Sequence, residues 1–329
     1  MVMIRRKGPH LLVLTVWIAL LAPANALAQG AWLPGKGEAR VCFLYQSLKT
    51  GNHLFSGPVL FDVGLGSKSV DFGTAYSQVV SADADVGVTD RLALTGRITF
   101  VSSKYVDGGV DLLGPSNAES SLDDGTWHGD FQDGSIGARY LALDDGTSVL
   151  TPFVSYGVPT TDYGTIGHSA IGRGLDELQM GLHWGRILSS SGAPFGYLQG
   201  TASHAFIEDV GDISLSRTNL QLGFGYFVKS VTLNAWTLYQ NSHGGLDWSR
   251  DLSAHNDHLE ETFDDHDRAA AEDFWRVGLG VSLPVSLGVD LHAGIGTTLW
   301  GVNTHEALTL TVGASWNFQL FGGTDWWYE

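Results

Sequence analysis

The sequence predicts an all-β fold: a transmembrane, antiparallel, up-and-down barrel of about twelve strands in a bacterial outer membrane. Apolar and polar side chains alternate over stretches of about ten residues, again and again along the chain. The connections between these stretches are by turns tight and long. After residue 28 no apolar run approaches the roughly 18 residues that would suggest a spanning helix.

The chain opens like a secretion signal. Arg5, Arg6 and Lys7 form a positive start, Leu11 to Leu21 an apolar stretch, and Ala26-Leu27-Ala28 a small-x-small cleavage site. Residues 1–28 are therefore expected to be a signal peptide, and 29–37 a periplasmic segment ahead of the barrel at 38–318, with 319–329 as a C-terminal extension.

Strands are expected near 38–48, 74–88, 92–102, 131–143, 147–157, 175–188, 194–206, 214–228, 231–241, 273–284, 288–300 and 306–318. A weak hairpin near 59–72 is the route to an alternative count of fourteen. Tight turns fall at Thr89-Asp90-Arg91, Asp144-Asp145-Gly146, Ser189 to Ala193, Lys229-Ser230 and Val285-Ser286-Leu287. Longer loops fall near 49–73, 103–130, 158–174 and 242–272, with shorter ones near 207–213 and 301–305. Outer-membrane barrels sort short turns to the periplasmic end and long loops to the outside, whereas a soluble sandwich has no reason to.

Within strands one face is apolar. Leu308, Leu310, Val312, Ala314, Trp316 and Phe318 alternate with Thr309, Thr311, Gly313, Ser315 and Asn317. Leu220, Leu222, Phe224, Tyr226 and Val228 repeat the pattern, as do Trp275, Val277, Leu279, Val281 and Leu283. Tyr105, Tyr156, Trp184, Tyr239, Trp300 and Trp316 near strand ends suit interfacial aromatic girdles. The 43 glycines, about double the average usage, sit beside aromatics inside strands, as closely packed and bent strands require.

Charge excludes some functions. The chain carries 18 Lys+Arg and 35 Asp+Glu, and loss of the three basic residues in 1–28 leaves a net charge of −20. Such a surface repels nucleic acid and anionic membrane faces, and suits a polar lumen with solvated loops. The one cysteine, Cys42, cannot form an internal disulfide, so barrel closure has to satisfy the backbone.

Val312, Ala314, Trp316 and Phe318 resemble the C-terminal signal read by barrel-assembly machinery, set slightly inward because the chain continues from Gln319 to Glu329. Four other stretches resemble a family of exported barrel proteins related to the outer-membrane transporters grouped as the MetA-pathway of phenol degradation family. They are Ala31 to Glu38 (AWLPGKGE), Gly87 to Leu94 (GVTDRLAL), Thr151 to Gly157 (TPFVSYG) and His243 to Trp248 (HGGLDW). The resemblance implies an outer-membrane barrel and small-molecule transport, and supplies no catalytic residues.

Charges on a lipid face are costly, so Arg97, Arg139, Glu177, His183, Arg276, Asp290 and His292 are expected to line the lumen. They fit either a solute-selecting conduit or a plug of Arg–carboxylate pairs. The acidic, histidine-bearing stretch near 242–272 holds weak metal candidates in His255, Asp257, His258, Asp265 and His266, but their irregular spacing is better read as a solvated acidic loop bridged by cations to lipopolysaccharide. Outer-membrane lipid hydrolases place His and Ser two apart on one strand, and none of the twelve histidines has Ser two positions later. No enzyme activity and no cofactor are therefore expected. Gly64-Leu65-Gly66 and Gly278-Leu279-Gly280 open no helix, so phosphate binding is not expected either.

The sequence reading is a transporter or channel for small solutes, whose identity it does not give; the resemblance to the phenol-degradation group suggests hydrophobic or aromatic ones. Its alternatives are a non-conducting barrel that binds cations or a surface partner, and a lipid-modifying enzyme. Expected partners are outer-membrane lipids and lipopolysaccharide, the barrel-assembly machinery and a small solute, with no nucleic acid.

Overall fold

A computed structural model describes residues 30–54, 69–70, 73–107, 122–165, 167–246 and 266–321. Its strands are β1 (Glu38–Leu54), β2 (Ser69–Val70), β3 (Gly73–Thr89), β4 (Leu92–Asp107), β5 (His128–Phe131), β6 (Gly134–Tyr140), β7 (Leu143–Asp144) and β8 (Ser148–Val158). They continue with β9 (Glu177–Ser190), β10 (Ala193–Ile207), β11 (Leu215–Val228), β12 (Val231–Gly244), β13 (Asp273–Ser286), β14 (Val289–Val302) and β15 (Thr304–Gln319).

Each wall strand pairs antiparallel with its sequence neighbour, and β15 returns to pair with β1 from Glu38↔Gln319 to Leu54↔Thr304, closing a twelve-strand barrel. Closure leaves no open edge, so the wall satisfies its own backbone inside lipid. The segment expected at 131–143 is one wall strand broken into three: β5 and β6 pair with β4, and β6 and β7 with β8. β2 pairs only with the end of β1, at His53 and Leu54, and adds nothing to the ring.

Loop lengths sort by end as expected, with the β14–β15 connection as the exception. The tight end carries left-handed residues where two-residue turns need them, at Ser191 (φ 51°) and Lys229 (φ 57°). On the far end the connection expected at 301–305 shrinks to Asn303 (φ 51°), because β14 and β15 both extend beyond their expected limits.

The apolar faces point outward. Ile136, Leu222 and Leu279 are 72%, 61% and 64% exposed, and Leu94, Ile98, Leu291, Ile295, Leu310 and Val312 share that surface. Such a belt is unfavourable in water and favourable in a bilayer core, so the barrel resides in an outer membrane. Tyr156, Trp184, Tyr239 and Trp316 are outward and exposed, as girdle residues should be. Tyr105 is not: it has the inward parity of Thr99, Val101 and Ser103 in β4 and is buried. Inside, Gly278 and Gly296 lie under the Trp236 ring, and a Cβ at either would come within 3.0 Å of it.

Candidate functional site: a polar lumen with a floor and a roof

The segment ahead of β1 turns into the tight end of the barrel. Thr151 Oγ1 donates to the Ala31 carbonyl at 2.7 Å, and Arg139 Nη1 donates to the Gly30 carbonyl at 2.7 Å. Arg139, only 6% exposed, also holds Asp85 in an ion pair at 3.0 Å, so the buried guanidinium has a counter-charge. The Trp32 ring lies edge-on to Tyr197, with centroids 6.2 Å apart. Wall glycines make room for the segment: a Cβ at Gly185 would sit 2.4 Å from the Trp32 ring, and one at Gly87 2.0 Å from the Gly35 carbonyl oxygen. The Gly37 amide donates to the Gly87 carbonyl, and the Leu320 and Phe321 amides donate to the Gly37 carbonyl, so both chain ends are tied at this mouth.

Above this floor is a cavity of about 450 Å³. Arg40, Asp83, Asp85, Arg97, Arg139 and His183 contribute charge and polarity to its wall, and Phe153 an aromatic face. Asp83 stands opposite Arg97 across the β3–β4 hairpin, and the two form an ion pair. His183 stands opposite Thr201, shares a 2.8 Å hydrogen bond with it and stacks on Phe153 at 4.3 Å.

The roof is the connection between β8 and β9. Tyr163 and Ile171 are buried against Val101 and Val79 on the inner wall, and the Tyr163 hydroxyl donates to Asp133. Arg173 pairs with Glu272 at 2.8 Å, and Arg268 Nε donates to the Arg173 carbonyl at 3.0 Å. This latches the roof to the short helix His266–Ala269 and the start of β13. Leu175, Ile207, Val210, Leu215 and Ala269 pack a small apolar cluster beside it. In the outer segment Asp123 accepts from the His168 and Ser169 amides, from the Ser169 hydroxyl and, at 2.9 Å, pairs with the His168 ring. Burial pushes the Asp123 carboxyl up, but these hydrogen bonds outweigh it and hold the group below its usual range.

Of the residues expected in the lumen, the structure brings Arg97, Arg139 and His183 together at the cavity. Glu177 pairs with Arg217 near the roof. Arg276 lies above the Phe274 ring at 4.1 Å. Asp290 is buried at 4% exposure near the floor, while His292 bridges Ser282 at 3.0 Å and Ser315 at 2.9 Å. Val312 and Trp316 face outward on β15, and Ala314 and Phe318 stand opposite Phe43 and Ala39 of β1. His255, Asp257, His258 and Asp265 lie outside the described residues, and His266 opens the short helix. Among the described residues no three His, Cys, Asp or Glu side chains already converge on a point fit for a metal.

Sequence reasoning missed Arg40, Asp83, Asp85 and the whole floor. A signal for the first pair existed. A tight turn at residues 89–91 fixes the register that puts Asp83 opposite Arg97.

No family model matches the chain, and no curated protein does. Solved structures match by fold. An outer membrane channel from Pseudomonas putida F1 superposes with a TM-score of 0.60 at 12% identity, covering 88% of this chain and 99% of that one. The translocator domain of the autotransporter NalP from Neisseria meningitidis gives 0.48 at 10% identity, covering 88% and 90%. The KdgM porin in complex with oligogalacturonate gives 0.40 at 8% identity, covering 85% and 99%. The chain shares the fold of outer-membrane β-barrels.

Proposed function

We propose that this barrel is a gated outer-membrane channel that passes small solutes, preferentially ones with an aromatic or apolar body and a polar end. The observation that carries the reading is a polar lumen cavity of about 450 Å³, floored at Gly30 by a segment that is not part of the wall. The floor is held to the wall by a few hydrogen bonds and one ring contact, and the roof by the Arg173–Glu272 ion pair and the packing of Tyr163 and Ile171 on Val101 and Val79. Neither closure is a wall strand, so both can leave without opening the barrel.

The cavity chemistry favours the solute class. The Phe153–His183 stack offers a flat face, and Arg40 and Arg97 offer donors to a carboxylate or phenolate. The channel from Pseudomonas putida, whose fold this chain shares, supports a channel role, and the motifs resembling the phenol-degradation group suggest the solute class.

Liposome swelling tests it. Vesicles with the folded barrel should swell faster in an aromatic carboxylate such as benzoate than in a sugar of equal size, and Phe153→Ala should erase the preference. Equal rates for both solutes would overturn the solute class. Rates equal to those of protein-free vesicles would favour the sealed, Arg–carboxylate-filled barrel.

A further inference from the structure

At the outer end, 252 residues apart in sequence, His53 and His305 meet because the barrel closes there. They stand opposite each other across the β1–β15 seam, next to the register shift between Thr50 and His53. His53 Nδ1 and His305 Nε2 are 3.3 Å apart, with the rings nearly perpendicular at 84°. Two nitrogens that share a tetrahedral ion at about 2.0–2.1 Å each are separated by roughly 3.3–3.4 Å, so this pair already has the bite of a chelate. A third imidazole is close. The His168 ring lies edge-on to His305 at 6.1 Å and stacks on Tyr105 at 4.5 Å. All three histidines line one cavity of about 70 Å³, roomy enough for an ion and a bound water.

Asp123 sets up the third ligand. Its carboxylate takes the His168 Nδ1 contact at 2.9 Å, which leaves Nε2 as the nitrogen to coordinate. A carboxylate behind a histidine is the usual outer support of a metal ligand, fixing tautomer and ring orientation.

We propose that His53, His168 and His305 form a site for a borderline divalent transition ion, with Zn²⁺ the best fit to an all-imidazole donor set. The ion inserts between His53 and His305. Whichever of the two donates in the metal-free pair moves its proton to its other ring nitrogen, so no net proton is lost. His168, whose ring centroid lies 6.1 Å from that of His305, then moves in as the third ligand, since among the described residues no three such ligands converge in the metal-free structure. Since His168 belongs to the roof and the other two to the closing seam, the ion pins the roof to the wall.

The test is calorimetric titration of ZnCl₂ into the untagged, detergent-folded barrel. The result expected is one saturable site, weakened about tenfold or more by His53→Ala and by His305→Ala, and about ten- to a hundredfold by Asp123→Asn. Folding of each variant is checked by heat-modifiable gel mobility, and His53→Gln and His305→Gln replace any that fails. X-ray absorption of the zinc-loaded wild type, which needs no variant, should show three imidazoles. No saturable binding, unchanged affinity in the His53 and His305 variants, binding lost only in His255→Ala or His258→Ala, or fewer than three imidazoles on the ion would each overturn the assignment.

Discussion

The guanidinium of Arg139 donates 2.7 Å to the Gly30 carbonyl while it holds the Asp85 carboxylate at 3.0 Å. One side chain on the barrel wall thus neutralises a half-buried acid and anchors the segment that closes the tight end. Removing it should do two things at once. Arg139→Ala leaves Asp85 without its partner in a poorly solvated site and should cost about 3–5 kcal/mol of stability. Urea unfolding in detergent measures this, and the double change Arg139→Met with Asp85→Asn should recover most of the loss. A deficit in the double variant as large as in the single one would show that the ion pair is not the cause.

Gly185 has no side chain because the Trp32 ring occupies that space. Gly185→Val should expel residues 30–35 while leaving the barrel folded, since its β-branched side chain suits a strand. Trp32 would then become accessible to an aqueous fluorescence quencher, in a background where the other tryptophans are replaced by Phe. Quenching that stays at the wild-type level would mean that the floor tolerates the valine.

The outward assignment of the apolar faces is tested one residue at a time. Leu222→Arg puts a charge on a residue that is 61% exposed near the middle of β11, and should cost about 2–4 kcal/mol on folding into vesicles. Gln221→Arg, one position along and lining the cavity, should cost far less. Equal costs would contradict the parity of β11.

Asp123 makes the roof acid-sensitive. Its carboxyl is held below the usual range in the folded chain, so its contribution to stability is present above an unfolded pKa of about 3.9 and is lost as pH falls through the lower folded value. Nearby Asp124 is held down to about 2 by hydrogen bonds from His128 and Thr126. The midpoint of the heat-modifiable gel shift should therefore drop as pH falls below about 4, and Asp123→Asn should flatten that drop. An identical pH profile in the variant would remove Asp123 from the explanation.

Much of the wall was legible in the sequence because a period of two is set by backbone geometry alone. The outward sets in β11, β13 and β15 follow from it, and so does the inward parity of Arg97 and His183. Tyr105 went astray because an aromatic at a strand end suggests a girdle, whereas parity in β4 turns it inward to stack on His168. The floor left little trace: Ala31-Trp32-Leu33-Pro34 is too short to show a period, and its docking depends on the spacing of Gly87 and Gly185 in two distant strands. The meeting of His53 with His305 depends on the closing register and on the local irregularity after Thr50, neither of which a local pattern encodes.

Single-channel conductance in planar bilayers, comparing the protein with a form lacking residues 30–36, addresses the gated lumen most directly. Small or infrequent openings in the intact protein, and larger, longer ones when the floor is removed, are the expected result. Equal silence from both forms, each shown to be folded by heat-modifiable mobility, would contradict a conducting lumen and leave a sealed barrel in its place.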